Sequence, residues 1–145
     1  MSDVVIRPAK ESDWPAVAEL LRVRALPLDG AQEHLSGFLL AIADGAVVGT
    51  AGLETYADAA LLRSVAVSPA FQGKGIGRAL VEAVHSEARR RGVKNLCLLT
   101  TTATGYFSKM GFLTVARGQA PAGLLASAEF QGACPSSAVF MSREV

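Results

Sequence analysis

The stretch "QGKGIGRAL", Gln72 to Leu80, sets Gly73, Gly75 and Gly77 between an apolar run that ends at Val67 and an apolar repeat of helical spacing. Glycines at such a junction allow close backbone approach, and the free N–H groups of a helix N-terminus favour an anion. A tight turn needs one or two glycines; three indicate a ligand, and a phosphate fits. Lys74 and Arg78 stand beside them, either as added cations for that ligand or as solvated surface charges. Two familiar phosphate loops are excluded. Lys74 is followed by glycine and not by a hydroxyl residue, and G-x-G-x-G replaces the dinucleotide spacing G-x-G-x-x-G, with "LCLLTTT" further on where an acidic residue would be required.

A second group of residues points at a substrate. Arg63 interrupts the apolar strand "ALLRSVAV" two residues before Val65 and on the same face. A charge there is either paired with an internal acid such as Glu54 or aimed at a substrate carboxylate as a two-pronged clamp. Thr100, Thr101 and Thr102 at a strand end, and Arg117, offer further donors, which favours an anionic amino acid. Glu54 is the best-placed carboxylate for a general base acting through water, and equally a surface strand-end residue; Glu33 and His34 are fallbacks. Cys97 and Cys134 form no C-x-x-C site or disulfide framework, so both are read as reduced thiols, with no metal site expected.

The elements that must position these residues alternate along the chain. "VVIR" reads as a strand, and "SDWPAVAELLRVRAL" as a helix with Ser12 or Asp13 as N-cap and Val17, Leu20, Leu21 and Arg24 at helical spacing. A helical stretch is expected from Asp29 to Leu35, then a hairpin turning at Asp44 and Gly45, and a second turning near Tyr56 to Asp58 into a strand from Ala60 to Val67. Ile76, Leu80, Val84 and Ala88 share one face of a helix from Gly75 to Arg91. "NLCLLT" is a buried strand, Tyr106 to Met110 a short helix, and "FLTVA" and "SAVFM" are final strands. This gives one α/β domain, residues 1–145, with a mixed and mostly antiparallel sheet flanked by helices.

Bulk composition agrees. The chain of 145 residues is 50% apolar and 19% charged, with net charge +1. Nothing in it marks a nucleic-acid binder, and no run approaches the roughly 18 apolar residues of a membrane span. With no apolar leader at the N-terminus, a cytoplasmic protein with small-molecule partners is expected.

Gln72, Gly75 and Gly77 in the pattern Gln-x-x-Gly-x-Gly, together with "YFSKMGF", resemble the acetyl-coenzyme-A loop and the aromatic-x-x-x-Gly-Phe motif of the GNAT superfamily of N-acetyltransferases. The resemblance covers nearly the whole chain. It implies that the loop, Gln72, Gly73, Lys74, Gly75, Ile76, Gly77 and Arg78, holds the coenzyme pyrophosphate. Main-chain groups of Val65 and Val67 would run beside the pantetheine, and a main-chain N–H at Val65 or Val67 would face the thioester carbonyl. The position that carries the thiolate's proton donor in that family is Phe107 here. Tyr106 is the neighbouring alternative, although one residue along a helix turns a side chain by about 100 degrees.

"LLRSVAVSPAFQGKGIG", "LLTTTATGYFSKMGF" and "LLASAEFQGACPSSAVFM" further resemble the arsenic-resistance N-acetyltransferases. This implies acetylation of the α-amino group of arsinothricin, a glutamate mimic, with phosphinothricin as an analogue; Ser137 is a possible polar contact. Two other readings remain: an acetyltransferase for glutamate or another small amine, and a noncatalytic coenzyme-A-binding sensor. The C-terminal strand could pair across a twofold axis, giving a homodimer.

Overall fold

In the computed structural model, which describes residues 3–57 and 59–145, seven strands form one sheet in the order β1-β2-β3-β4-β5-β7-β6. They are β1 (Val4–Pro8), β2 (Phe38–Ala43), β3 (Ala46–Tyr56), β4 (Ala59–Val67), β5 (Asn95–Thr100), β6 (Leu113–Thr114) and β7 (Val139–Glu144). Helices α1 (Trp14–Val23), α2 (Ile76–Arg90) and α3 (Thr104–Ser108) flank it. The expected α/β fold with a mostly antiparallel sheet is the one observed. Among the described residues only β4 and β5 pair in parallel.

Helical periodicity decides how the layers meet. Leu80, Val81, Val84 and Ala88 line the buried face of α2 and pack on Leu62, Leu96, Leu98, Phe112 and Met141. On the opposite face Val17, Leu20 and Leu21 of α1 close over Phe38, Leu40 and Ala66. Each fully buried leucine contributes roughly 1.5–3 kcal/mol, so these two clusters fix the sheet between its helices. Among the described residues no helix is long and apolar enough to cross a membrane.

Two irregularities shape the centre of the sheet. Gly52 pairs with Arg63 and Thr50 with Ala66, so Ala51 of β3 faces both Ser64 and Val65 of β4. Ser64 takes φ +57° at this bulge, and a bulge bends its strand and increases the local twist. Pairing of β4 with β5 stops at Leu61 and Cys97, although both strands continue. The sheet therefore opens between them, and the edge of β4 facing β5 has no partner strand from Leu62 to Val67.

Several sequence expectations are corrected. Residues 29–34 form turns, because Gly30 at φ +76° breaks a right-handed helix, and Leu35 opens a short 3-10 turn, Leu35–Gly37. α1 ends at Val23, which leaves Arg24 beyond it, and α3 begins and ends two residues earlier than Tyr106 to Met110. The strand expected as "FLTVA" shrinks to Leu113 and Thr114, since Phe112 turns into the core. Tyr56 ends β3 as expected, while Asp58 of that turn lies outside the described residues. The C-terminal strand β7 pairs with β5 along its length and, at Met141 and Ser142, with β6 on its other edge, so it lies inside the sheet and is not its outermost strand.

Candidate active site

The glycine loop leads from β4 into α2. Gly73 and Gly75 adopt φ +77° and +82°, with Gly75 at the N-cap of α2 and no side chain capping the helix. The first α-helical bond runs from Ala79 N to Gly75 O at 3.1 Å. The amides before Ala79 are thus the open N–H groups of a 15-residue helix, arranged to meet an anion. Gln72 Nε2 donates to Val67 O at 3.0 Å and ties the loop to β4.

A groove of about 440 Å³ runs along this loop, lined by Val65, Val67, Gln72, Gly73, Gly75, Ile76, Gly77, Arg78, Phe71, Tyr106 and Arg24. Space is open beside Gly73 and Gly75, where a Cβ would meet no atom within 4 Å. A second cavity of about 600 Å³ occupies the opening between β4 and β5, with Arg63, Ser64, Val65, Thr100, Thr101, Thr102, Glu129 and Cys134 on its walls. Arg24, Val65 and Tyr106 line both. The two spaces therefore meet at the bulged part of β4, where main-chain groups lack a partner strand.

At this junction Tyr106 and Phe107 take opposite directions. Phe107 is buried against Phe112, in edge-to-face contact. Tyr106 remains 44% exposed on the cavity side, and its hydroxyl lies so close to Gly77 that a Cβ there would collide with it. Burial raises the Tyr106 phenol above its ordinary value, Arg78 opposing the shift, so the group stays protonated at neutral pH and can donate.

The remaining site residues divide: Arg63 takes the internal pairing with Glu54, while Arg117, Ser137 and Lys74 lie off the walls of both cavities. The Arg63 side chain is fully enclosed. Its Nη1 donates to Glu54 Oε2 at 2.8 Å, its Nη2 to Pro27 O at 3.2 Å, and its Nε to Ser64 Oγ at 3.0 Å. These bonds hold β4, β3 and the chain after α1 together, so the guanidinium is an internal tie and not a free clamp. Glu54 is 1% exposed, accepts a second bond from the Tyr56 hydroxyl, and is absent from the walls of both cavities. It acts as the counter-ion of Arg63, with His34 Nε2 at 3.6 Å. Arg117 donates to the carbonyls of Pro135, Ser136 and Ala138 at 3.3 Å each and stacks on Phe130; it braces the C-terminal segment, and Ser137 is exposed outside both cavities. Lys74 is not on the groove wall; its Nζ lies 5.2 Å from the centre of the ring of Phe71, which is on that wall. Thr100 and Thr101 do line the second cavity, where Thr100 Oγ1 also accepts from Ala103 N at 3.1 Å at the start of α3.

Sequence reasoning passed over two wall residues. Arg24 counts as part of a helix face by spacing, yet it is exposed on both cavities and has no side-chain partner among the described residues. Glu129 sits in a wide helical turn, Glu129–Ala133, and is 4% exposed. Desolvation pushes its carboxyl up to about 7, Arg63 opposing and Glu54 adding to the shift. A signal existed: Glu129 is the one charged residue between Arg117 and Arg143. Neither cysteine is a reactive thiol. Burial raises both, Cys134 to about 12; Cys97 bonds to Ser142 Oγ and Cys134 to Glu129.

Residues 34–113 match the family model for the acetyltransferase (GNAT) domain. An amino-acid acetyltransferase of Neisseria meningitidis is 32% identical over 127 residues, covering 81% of this chain and 29% of the relative. The chain thus spans less than a third of that relative's length. An amino-acid acetyltransferase of Mycobacterium tuberculosis is 32% identical over 121 residues, covering 77% of this chain and 69% of the relative. Among solved structures, N-acetylglutamate synthase from Neisseria gonorrhoeae, complexed with coenzyme A and N-acetyl-glutamate, superposes with TM-score 0.85 at 27% identity. The match covers 99% of this chain and 35% of that one.

Proposed function

Since the chain belongs to the acetyltransferase (GNAT) family, we propose that it transfers acetyl from acetyl-coenzyme A to the α-amino group of a small anionic amino acid. The observation that carries this reading is the junction of the two cavities at Val65 and Tyr106. The groove along the glycine loop takes the coenzyme, with the open amides of α2 on its pyrophosphate. The cavity between β4 and β5 takes the amine. Acetyl-coenzyme A, when bound, supplies the acetyl group as a thioester. The chain's own parts divide the remaining work: main-chain N–H groups near Val65 face the carbonyl oxygen, and Tyr106 holds a proton for the departing sulfur.

Among the described residues, the cation without a side-chain partner on the wall of the second cavity is Arg24, and it replaces Arg63 and Arg117 as the group that reads the substrate's acid. Relatives named amino-acid acetyltransferases, and a structural neighbour that holds N-acetyl-glutamate, support a glutamate-like substrate. Within that class, the sequence resemblance described above puts arsinothricin and phosphinothricin beside glutamate as compounds to try. Arg24→Ala is expected to raise KM for acidic amino acids about tenfold or more while leaving coenzyme affinity within about twofold. An unchanged KM would remove Arg24 from substrate recognition.

A further inference from the structure

The second cavity contains an imbalance of charge. Its one enclosed cation among the described residues, Arg63, is committed to Glu54 at 2.8 Å. Glu129 Oε2 lies 3.8 Å from Arg63 Nε, and that N–H is already given to Ser64 Oγ. Besides that contact, the Glu129 carboxyl meets the Cys134 thiol. The groups around it are Arg63 from β4, Glu54 and Tyr56 from β3, and Cys134 from its own segment. Beyond these stand His34 against Glu54, and Arg24, Asp29 and Tyr106 at the cavity wall. With both glutamates ionised, the enclosed set of Arg63, Glu54 and Glu129 is one positive charge short. A buried uncompensated charge is costly, so the set favours either a proton on Glu129 or an incoming cation.

We propose that Glu129 is the group that receives the substrate's ammonium and takes a proton from it. This rests on the acetyl-transfer reading above. An ammonium in the cavity supplies the missing charge and offers three donors to a carboxylate with few of its own. Glu129 then accepts one proton. The freed nitrogen pair forms the N–C bond to the acetyl carbon as the C–S bond breaks, and the second nitrogen proton leaves to water while Tyr106 protonates the sulfur. Burial that places the carboxyl near neutrality suits this exchange, because a base close to the working pH is both ionised and able to accept.

The test uses L-glutamate, phosphinothricin and arsinothricin, and follows whichever the wild type acetylates fastest. Glu129→Gln keeps the shape and removes the base. It should lower kcat/KM about 10²- to 10⁴-fold at pH 7, with the deficit shrinking as pH rises toward the amine's own pKa, and Glu129→Asp should recover part of the rate. A second readout needs no turnover. Calorimetry of amino-acid binding near pH 7 in two buffers of different ionisation enthalpy should show proton release from the wild type and none from Glu129→Gln. A pH profile in Glu129→Gln parallel to wild type, or binding by wild type without proton release, overturns the assignment while leaving acetyl transfer standing. No turnover by wild type with any of the three overturns both.

Discussion

The hydroxyl of Tyr106, on α3, rests directly over the α-carbon of Gly77, in the first turn of α2. A side chain at Gly77 would therefore push the Tyr106 hydroxyl aside, whereas Gly73 and Gly75 are needed for their positive φ. The contact joins the groove along the glycine loop to the residue that faces both cavities.

Gly77→Ala pushes the tip of the half-exposed Tyr106 aside and should weaken coenzyme binding by at most about tenfold. Gly77→Ala combined with Tyr106→Phe, which removes the colliding oxygen, should regain much of the affinity by calorimetry. Equal loss in single and double variants would show that the amides alone set the fit.

Tyr106→Phe by itself should leave coenzyme affinity close to wild type and lower turnover by up to about 10²- to 10⁴-fold if the phenol is the proton donor. An unchanged turnover number would return Tyr106 to packing over Gly77.

The glycine loop, the order of elements and the Phe107 departure were legible because each depends on neighbours in sequence. Arg63 was legible only as a charge in need of a partner; that Glu54 lies opposite, with Pro27 and Ser64 completing its bonds, depends on the register of β3 and on the path of the chain after α1. Arg24 and Glu129 reach the cavity from segments far apart in sequence, so no local spacing brings them together. Even so, a lone carboxylate in an uncharged stretch of the tail marks Glu129 as a residue with a reason to be there.

Arg63→Ala leaves Glu54 buried without its cation, and it should cost about 3–5 kcal/mol of stability, seen as a large fall in Tm. Arg63→Lys keeps the charge but loses the fork, and should fall between. A variant that melts like wild type yet fails to turn over acidic amino acids would restore Arg63 as a substrate clamp.

Glu129 also makes stability depend on pH. Its folded carboxyl titrates at about 7, above the ordinary 4.5, so the folded state holds the extra proton between those values. Stability is full below about 4.5 and falls as pH rises toward 7, by roughly 3 kcal/mol at most. Asp13 runs the other way: its hydrogen bonds from Arg7 lower it to about 2, so its contribution is lost only as pH falls below its ordinary 3.8. Denaturant midpoints for Glu129→Gln should be flatter than wild type between pH 5 and about 7; parallel curves would mean that Glu129 does not titrate in that window.

The most direct measurement is thiol release from acetyl-coenzyme A, with mass detection of the N-acetyl product, across acidic and neutral amino acids, polyamines, phosphinothricin and arsinothricin. The junction of groove and cavity at Val65 and Tyr106, with Arg24 on the wall, predicts N-acetylated acidic amino acids with kcat/KM at least about tenfold above their neutral counterparts, and polyamines untouched. Coenzyme binding without thiol release on any amine, or preference for a polyamine, would contradict it.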